Sequence, residues 1–210
     1  GMDDIESLDI YADDVVVYET GSIFTIGDKE GHKIRCKTKL LGKHNIYNIL
    51  AGVSVGVALG LDFKEIKRGI EKIEPIPHRL NITHSKENLI IIDDTYNSNP
   101  IGAKAALDVL AQFNKGRKII VTPGMVELGK MEEEANREFG ESIGKVCDYV
   151  VLIGKKTTQP IYEGLMKVGY NEENIFIVKD LDEAMTQIQK IAQEKDVILF
   201  ENHLLDNYNE

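Results

Sequence analysis

The sequence has no long apolar run, little cysteine and no basic excess, and each shortage argues against a class of protein. Its longest apolar stretch, residues 49–61, has 13 residues, whereas a membrane-spanning helix needs about 20. The N-terminus, GMDDIESLD, lacks the basic and apolar regions of a signal peptide. Cys36 and Cys147 have no partner pattern, so we expect two ordinary thiols in a reducing cytoplasm. The formal net charge of −10 argues against a nucleic-acid surface.

Several catalytic and cofactor motifs are also missing. No predicted strand is followed by the G-x-G-x-x-G pattern of dinucleotide-binding dehydrogenases. Residues 124–131, GMVELGKM, approach the phosphate-binding loop G-x-x-x-x-G-K-[ST], but Met131 stands where that loop needs a hydroxyl for Mg²⁺. The five histidines are scattered, without metal-ligand spacing or a Ser/His/Asp arrangement. We therefore expect no metal ligands and no hydrolase triad in this chain.

From about residue 78 onward, apolar strands alternate with amphipathic helical segments. The predicted strands are 88–93, 117–122, 148–154, 174–178 and 196–200. Segments between them, most clearly 132–147, place apolar residues every three or four positions, as a helix requires. Continuous β-branched strands that alternate with helices predict a mostly parallel sheet in a Rossmann-like α/β domain.

The first part of the chain has a different pattern. Residues 1–43 contain two or three short strands separated by the turn-like stretches ETGS and GDKEGH, which predicts an antiparallel meander. Helical segments at about 44–59 and 63–73 follow, and the prolines of EPIPHRL end the second helix and predict a hinge. We predict that 1–76 is the α+β tail of a larger domain and that 77–210 is the Rossmann-like domain.

Polar residues crowd the end of the first strand of that domain, in the stretch IIIDDTYNSNP at 90–100. Ligands of parallel α/β sheets bind beyond the carboxyl ends of the strands. Helix capping explains Asn99 and Pro100, which suit the N-cap and the first helical position. Since adjacent strand residues point to opposite faces, one of Asp93 and Asp94 can face a cleft while the other satisfies backbone groups. A carboxylate there could accept from both hydroxyls of a ribose.

Three further positions suit a ligand but also have a structural interpretation. Asn45 and Asn48 lie three apart on a predicted helix and offer the donors and acceptors that a purine edge requires. Alternatively, His44 or Asn45 caps this helix. Arg79 follows the prolines and suits phosphate or carboxylate oxygens, or lies on the surface without a ligand.

Two loops that follow later strands offer charged groups. Glu127 lies in a strand-to-helix loop that we expect near the same carboxyl-end cleft. Lys155, in the stretch IGKKTTQ, could hold a carboxylate or belong to a solvated helix start. The final stretch, LFENHLLDNYNE, is acidic and loses its periodicity after Phe200, and no role is assigned to it.

These motifs in this order resemble the Mur ligases of peptidoglycan synthesis. The stretch from GKHNIYN to IPHRL, then IIIDDTYNSNP, then PGMVELG, carries the resemblance over nearly the whole chain. It is most similar to the branch that adds D-alanyl-D-alanine to a UDP-muramyl tripeptide. The family has a UDP-substrate domain, a central ATPase domain and a Rossmann-like third domain, and this chain resembles the end of the second and all of the third. The resemblance implies a monomeric cytoplasmic enzyme that uses ATP and Mg²⁺ and binds small molecules, not nucleic acid or membrane.

The resemblance also implies roles by position. Asp94 would hold the ATP ribose, Asn45 the adenine and Arg79 the phosphates. The implied nucleotide-binding residues are Asn45, Asn48, Arg79 and Asp94. The implied substrate- and acceptor-binding residues are Tyr96, Asn97, Asn99, Glu127 and Lys155.

The implied reaction is amide formation through an acyl phosphate, which forms when a peptide carboxylate attacks the γ-phosphate of ATP. The chain departs from the family in two respects. It has no G-K-[ST] loop, and the family's Mg²⁺-binding glutamate and histidine would lie upstream of Gly1, so we predict that this chain alone does not hydrolyse ATP. Thr122-Pro123 replaces the Gly-Asp of the family's LGDMLELG, which leaves the acceptor amine open. A folate- or cyanophycin-type amide ligase and a nucleotide-binding regulatory module stay open as alternatives.

Overall fold

The computed structural model describes residues 1–202. The chain divides into two compact units, of which the first ends at Pro75 and the second begins at Ile76. Within the described residues, no helix is both long and apolar enough to span a membrane.

The first unit is a three-stranded antiparallel meander covered by two helices. Its elements are β1 (Ile10–Tyr18), β2 (Gly21–Asp28), β3 (Lys33–Thr38), α1 (Lys43–Ala58) and α2 (Phe63–Ile70), after a short 3₁₀ turn at Ile5–Ser7. The strand order is β1-β2-β3, which confirms the predicted meander. Phe24 and Ile26 of β2 pack in one cluster with Ile46, Leu50 and Ile66 of the helices.

Helix α2 shows how local sequence sets a helix start. The Asp62 carboxylate accepts hydrogen bonds from the backbone N–H groups of Lys64 and Glu65, each at 2.8 Å, and Glu65 in turn accepts from the N–H of Asp62 at 3.0 Å. This reciprocal capping box satisfies donors that the first turn leaves unpaired. The helix ends at Ile70, three residues before the predicted end at 73.

The second unit contains one six-stranded sheet. Its strands are β4 (Asn81–His84), β5 (Ile90–Asp94), β6 (Lys118–Thr122), β7 (Tyr149–Ile153), β8 (Ile175–Val178) and β9 (Val197–Glu201). The helices between them are α3 (Pro100–Leu110), α4 (Glu132–Ile143), α5 (Gln159–Lys167) and α6 (Leu181–Ile191). The order is β4-β5-β9-β6-β7-β8, and all neighbours are parallel except β4 and β5. The predicted α/β fold with a mostly parallel sheet is confirmed, and β4 is a short antiparallel edge strand that was not predicted.

Helices cover both faces of this sheet. Ala184 and Ile188 of α6 pack on Ile119, Val151 and Ile198, which lie on one face of the strands. The chain moves in one direction along the sheet from β6 to β8 and then returns to β9, so right-handed crossovers put the other helices on the opposite face from α6. Burial on both faces explains why these strands read as continuous apolar runs.

Helices α4 and α5 approach closely because two glycines leave room at their contact. A Cβ atom on Gly140 would lie 2.1 Å from the carbonyl oxygen of Ile161, and one on Gly164 would lie 2.0 Å from that of Arg137. Neither distance is possible for a real side chain, so this helix pair needs glycine at both positions.

The strand order places three strand ends side by side. In the parallel register, Asp94 at the end of β5 pairs with Glu201 at the end of β9. On the other side of β9, Phe200 pairs with Val121, so Glu201 lies level with Thr122 at the end of β6. The polar carboxyl edge is therefore built from residues that are distant in sequence.

Candidate functional site

Asp94 is a half-buried carboxyl at the end of β5. Its Oδ1 accepts a hydrogen bond from the backbone N–H of Leu80 at 3.1 Å. Burial raises the pKa of Asp94 to about 6, against the lowering effects of the Leu80 hydrogen bond and of the nearby Arg79 charge. Most of the group is therefore ionised at neutral pH, and a carboxylate has room for several donors beyond the one it holds here.

Asp93, its neighbour, is bound to groups of the surrounding backbone and loop. Its carboxylate accepts from the N–H of Thr95 at 3.2 Å and from the Thr95 hydroxyl at 2.7 Å. The other oxygen lies 2.9 Å from Nδ1 of His78. Asp93 therefore holds together the start of the loop after β5 and the segment that leads into β4.

That leading segment is tightly docked on the loop after β5. The N–H of Tyr96 donates to the carbonyl of His78 at 3.2 Å, and the Arg79 guanidinium lies over the Tyr96 ring, 4.4 Å from its centroid. His78 and Leu80 have positive φ angles of 62° and 47°, which are unfavourable for residues other than glycine. These contacts stabilise a strained turn that presents the exposed Arg79 beside Asp94.

Asn99 caps helix α3, and Asn97 is exposed just before it. The Asn99 side-chain oxygen accepts from the N–H groups of Ile101 at 3.1 Å and Gly102 at 2.9 Å, and Pro100 takes the first helical position. The predicted cap is confirmed. It uses the oxygen of the Asn99 carboxamide and leaves its nitrogen for other partners.

Glu201, which sequence reasoning missed, is the most buried carboxyl at this edge, with 1% of its surface exposed. The hydroxyl of Ser98 donates to its Oε1, and that of Thr122 donates to its Oε2 at 3.4 Å. Burial and, to a smaller extent, the nearby Asp94 raise the pKa of Glu201 to about 8, against the lowering effect of the hydrogen bonds from the two hydroxyls. The available signal was an apolar strand that ends in an acidic residue, the same pattern that drew attention to 90–94.

The loops after β6 and β7 carry the other charged candidates. Glu127 is exposed and has a positive φ of 64°. Lys155 is exposed two residues after the end of β7. The hydroxyls of Thr157 and Thr158 donate to the Gly154 carbonyl at 3.2 and 2.7 Å, so this stretch also forms the start of α5. Both charged residues follow strands whose carboxyl ends lie at the same edge as Asp94.

Asn45 and Asn48 lie on the first turns of α1, in the first unit. The N-cap of this helix is Gly42, without a side-chain cap, so the alternative in which His44 or Asn45 caps it is wrong. The Asn45 side-chain nitrogen donates to the carbonyl of Leu41 at 2.8 Å, and its oxygen accepts from the Asn48 side chain at 3.3 Å. Each carboxamide has further donors and acceptors beyond these bonds.

The structure also brings together three possible metal ligands that the sequence pattern did not predict. Asp28, Glu30 and His32 lie at the turn between β2 and β3, with ligand atoms within 4.8 Å of one another. Nδ1 of His32 already lies 2.9 Å from the Asp28 carboxylate, and Glu30 and His32 are exposed. Such acidic turns are common without an ion, so this cluster by itself assigns no metal.

Comparison with known proteins gives a consistent set of relatives. The family model "Mur ligase, glutamate ligase domain" matches residues 78–201. The chain is 31% identical over 150 residues to the UDP-N-acetylmuramoyl-tripeptide–D-alanyl-D-alanine ligase of Escherichia coli (strain K12), covering 71% of this chain and 33% of that protein. It is 29% identical over 194 residues to the Bacillus subtilis (strain 168) ligase of the same name, covering 91% of this chain and 41% of that protein.

Solved structures agree with the sequence matches. A crystal structure of MurF from Acinetobacter baumannii superposes with a TM-score of 0.81 at 26% identity, over 96% of this chain and 44% of that chain. The fold is also shared with MurF from Thermotoga maritima in complex with ADP, at a TM-score of 0.75 and 22% identity over 95% of this chain and 44% of that chain. The chain thus spans less than half the length of the relatives it matches.

Proposed function

Because the chain belongs to the Mur ligase family, we propose that it is the carboxy-terminal part of an ATP-dependent ligase of peptidoglycan synthesis. The proposed reaction joins a carboxylate of a UDP-muramyl peptide to the amine of an incoming amino acid or dipeptide, with D-alanyl-D-alanine as the first candidate. The names of the E. coli and B. subtilis relatives support this acceptor. In this proposal, 1–76 is the end of the central ATP-binding domain and 77–210 is the third domain.

The observation that carries the proposal is the position of Asp94 beside Arg79 at the carboxyl end of β5. Asp94 uses one oxygen for the Leu80 N–H, which leaves acceptor capacity for the two hydroxyls of a ribose. The Arg79 guanidinium lies over the Tyr96 ring, and its N–H donors suit phosphate oxygens. A carboxylate that can accept hydrogen bonds from a diol, next to a guanidinium that can donate hydrogen bonds to phosphate, fits a nucleotide.

The proposed adenine contacts, Asn45 and Asn48, lie in the first unit. Asn45 has one side-chain N–H and one lone pair beyond its bonds to Leu41 and Asn48. Asn48 is exposed and keeps its own side-chain oxygen as an acceptor. Together the two carboxamides offer the donors and acceptors that a purine edge needs, so these residues fit the proposed base contact.

The acceptor role falls to exposed groups at the ends of β5, β6 and β7. The proposed contacts are Tyr96, Asn97, Asn99, Glu127 and Lys155. A zwitterionic dipeptide carries an ammonium at one end and a carboxylate at the other. The Glu127 carboxylate suits the first charge and the Lys155 ammonium suits the second.

The proposed chemistry has two transfers. A carboxylate oxygen of the muramyl peptide attacks the γ-phosphorus of ATP and ADP leaves, which gives an acyl phosphate. The amine nitrogen of the acceptor then attacks the acyl carbon, loses a proton, and inorganic phosphate leaves. Bound Mg²⁺ would neutralise the charge on the phosphate oxygens, and its ligands are expected mainly outside this chain. The groups of this chain would hold only the ribose, the phosphates and the acceptor, whereas the Mg²⁺ ligands are expected mainly outside it. We therefore expect the chain alone not to turn over ATP.

The test measures phosphate release by the full-length protein of this proposal in the presence of ATP and UDP-muramyl tripeptide, with candidate amines added one at a time. Release that depends on D-alanyl-D-alanine supports the proposal in full. Release with another amine supports a ligase but corrects the acceptor. A folded protein that binds ATP yet releases no phosphate with any amine contradicts the ligase and favours a regulatory nucleotide-binding module.

A further inference from the structure

Glu201 lies between two loops that the proposed function places around the acceptor. We define the β5 loop as residues 95–99 and the β6 loop as residues 123–128. Ser98 of the β5 loop donates its hydroxyl to Oε1 of Glu201. Thr122, which leads into the β6 loop, donates its hydroxyl to Oε2 at 3.4 Å. One side chain therefore contacts both sides of the candidate acceptor site.

The next residue, Asn202, makes a second bridge of the same kind. Its backbone N–H donates to the carbonyl of Asp94 at 3.1 Å, and its side-chain nitrogen donates to the carbonyl of Gly124 in the β6 loop. Asn202 is buried and has a positive φ of 69°, a conformation that asparagine tolerates better than most residues. The end of β9 is thus attached to the ends of both neighbouring strands.

The hydrogen bonds around Thr122 leave its proton for Glu201. The N–H of Gly124 donates to the Thr122 hydroxyl oxygen at 3.0 Å, which occupies an acceptor position of that oxygen. Thr122 is fully buried, and its hydroxyl hydrogen can point at Glu201. A change at Glu201 therefore reaches the β6 loop through Thr122 and Gly124.

The surroundings of Glu201 favour its uncharged form. The titratable group that faces it from the adjacent strand is Asp94, while the β5 loop and β6 offer the hydroxyls of Ser98 and Thr122. Within residues 1–202, Glu201 forms no ion pair with a cationic side chain. An ionised carboxylate here would lose its hydration without a counter-charge and would repel Asp94.

We propose that Glu201 is a positioning residue whose neutral carboxyl locks the β5 loop to the β6 loop and so sets the shape of the acceptor site. The effect on acceptor choice rests on the proposed ligase function. The lock between the loops does not, and it can be measured in this chain without any substrate.

The first test is amide hydrogen exchange with crossed reporters. In Ser98→Ala, the reporter is the N–H of Gly124, in the other loop, which should exchange at least fivefold faster. In Thr122→Val, the reporter is the N–H of Tyr96, again in the other loop, with the same expectation. Glu138→Gln, an exposed carboxyl on α4, is the matched control and should change neither rate. Reporters that stay at the wild-type rate in both variants would overturn the proposal.

The second test asks whether the loops are held by the uncharged carboxyl of Glu201 or only by the volume of its side chain. In Glu201→Gln, the amide oxygen can accept from the Thr122 hydroxyl, and the amide N–H can donate to the Ser98 hydroxyl oxygen. Both contacts are then kept, one of them with its direction reversed, so this variant should exchange like the wild type, whereas Glu201→Ala should open both loops. Because the pKa of Glu201 is raised to about 8, opening of the wild-type loops should increase from pH 7 to pH 9 beyond the intrinsic change in exchange, and that of Glu201→Gln should not. Equal opening in the Gln and Ala variants would contradict the neutral lock. If Glu201→Ala does not fold, the crossed reporters above still decide.

The third test addresses the acceptor in the uninterrupted enzyme. Glu201→Ala should raise KM for the amine at least tenfold while KM for ATP stays within twofold, and Glu201→Gln should restore the wild-type amine value. An unchanged amine KM in Glu201→Ala would overturn the role in acceptor choice. If the wild-type enzyme releases no phosphate with any amine, the result counts against the proposed function. The hydrogen-exchange results would still decide whether Glu201 locks the two loops together.

Discussion

The guanidinium of Arg79 lies 4.4 Å from the centre of the Tyr96 ring. This contact joins the segment that enters β4 to the loop that leaves β5, and the hydrogen bond from the Tyr96 N–H to the His78 carbonyl supports it. The pair places a cation within reach of the Asp94 carboxylate, where it lowers the carboxyl pKa against the effect of burial.

Loss of the aromatic ring should have a small effect on stability and none on the fold. Tyr96 is 59% exposed, and exposed cation–π contacts contribute about 0.5–1 kcal/mol. We expect Tyr96→Ala to lower the free energy of unfolding by about that amount and Tyr96→Phe to keep it, since the ring face is retained. Urea denaturation followed by circular dichroism measures both, and a Phe variant as unstable as the Ala variant would contradict the stacking interpretation.

Asp94 should make the stability of the second unit depend on pH. Its pKa in the folded chain is raised to about 6 from the ordinary value of 3.8, so the folded state holds the proton more tightly than the unfolded state. The contribution is therefore full below about pH 4 and is lost as the pH rises to about 6. Asp94→Asn should remove this part of the pH profile of thermal unfolding.

The matched control for that profile is Asp108→Asn, on the exposed side of α3. It should leave the profile between pH 4 and pH 6 parallel to that of the wild type. If the pH profile of thermal unfolding of Asp94→Asn is also parallel to that of the wild type, the Asp94 carboxyl does not titrate as its burial predicts.

Asn99 should stabilise the chain through its cap. Removal of an N-cap side chain costs about 1 kcal/mol, with a usual range of about 0.5–2 kcal/mol. We therefore expect Asn99→Ala to lower the free energy of unfolding by that amount and Asn99→Asp to preserve it. In the full-length ligase of the proposed function, the Asp variant separates the cap from the carboxamide nitrogen, because it keeps the first and lacks the second.

Gly164 should tolerate no side chain. A Cβ would lie 2.0 Å from the Arg137 carbonyl oxygen in α4, so α5 must shift away from its neighbour. Overpacking of this kind costs about 1–3 kcal/mol and occasionally more. The control is Gly69→Ala in α2, where nothing lies within 4 Å of the added Cβ and a gain of up to about 1 kcal/mol is expected. Differential scanning calorimetry measures the stability of both variants. Equal effects of Gly164→Ala and Gly69→Ala would contradict the close contact at Gly164.

The candidate site divides between what local pattern predicted and what it did not. The stretch 90–100 was predicted as a strand that ends in polar groups before a capped helix, and the structure has β5, the Asn99 cap and α3 there. The role of Glu201 was missed because its importance depends on which strands lie beside it. Residues 203–210, the rest of the final acidic stretch, lie outside the described part of the chain.

By itself, the sequence determined the kinds of elements in this protein. Apolar periodicity and turn composition are local properties, so the five parallel strands and the N-terminal meander could be read from them. The order of the strands was decided only by tertiary packing, which inserts β9 between β5 and β6 and leaves β4 on the edge. That insertion brings Glu201 next to Asp94 from 107 positions away in the chain, because burial of both sheet faces, and not any local preference, selects the arrangement of the strands.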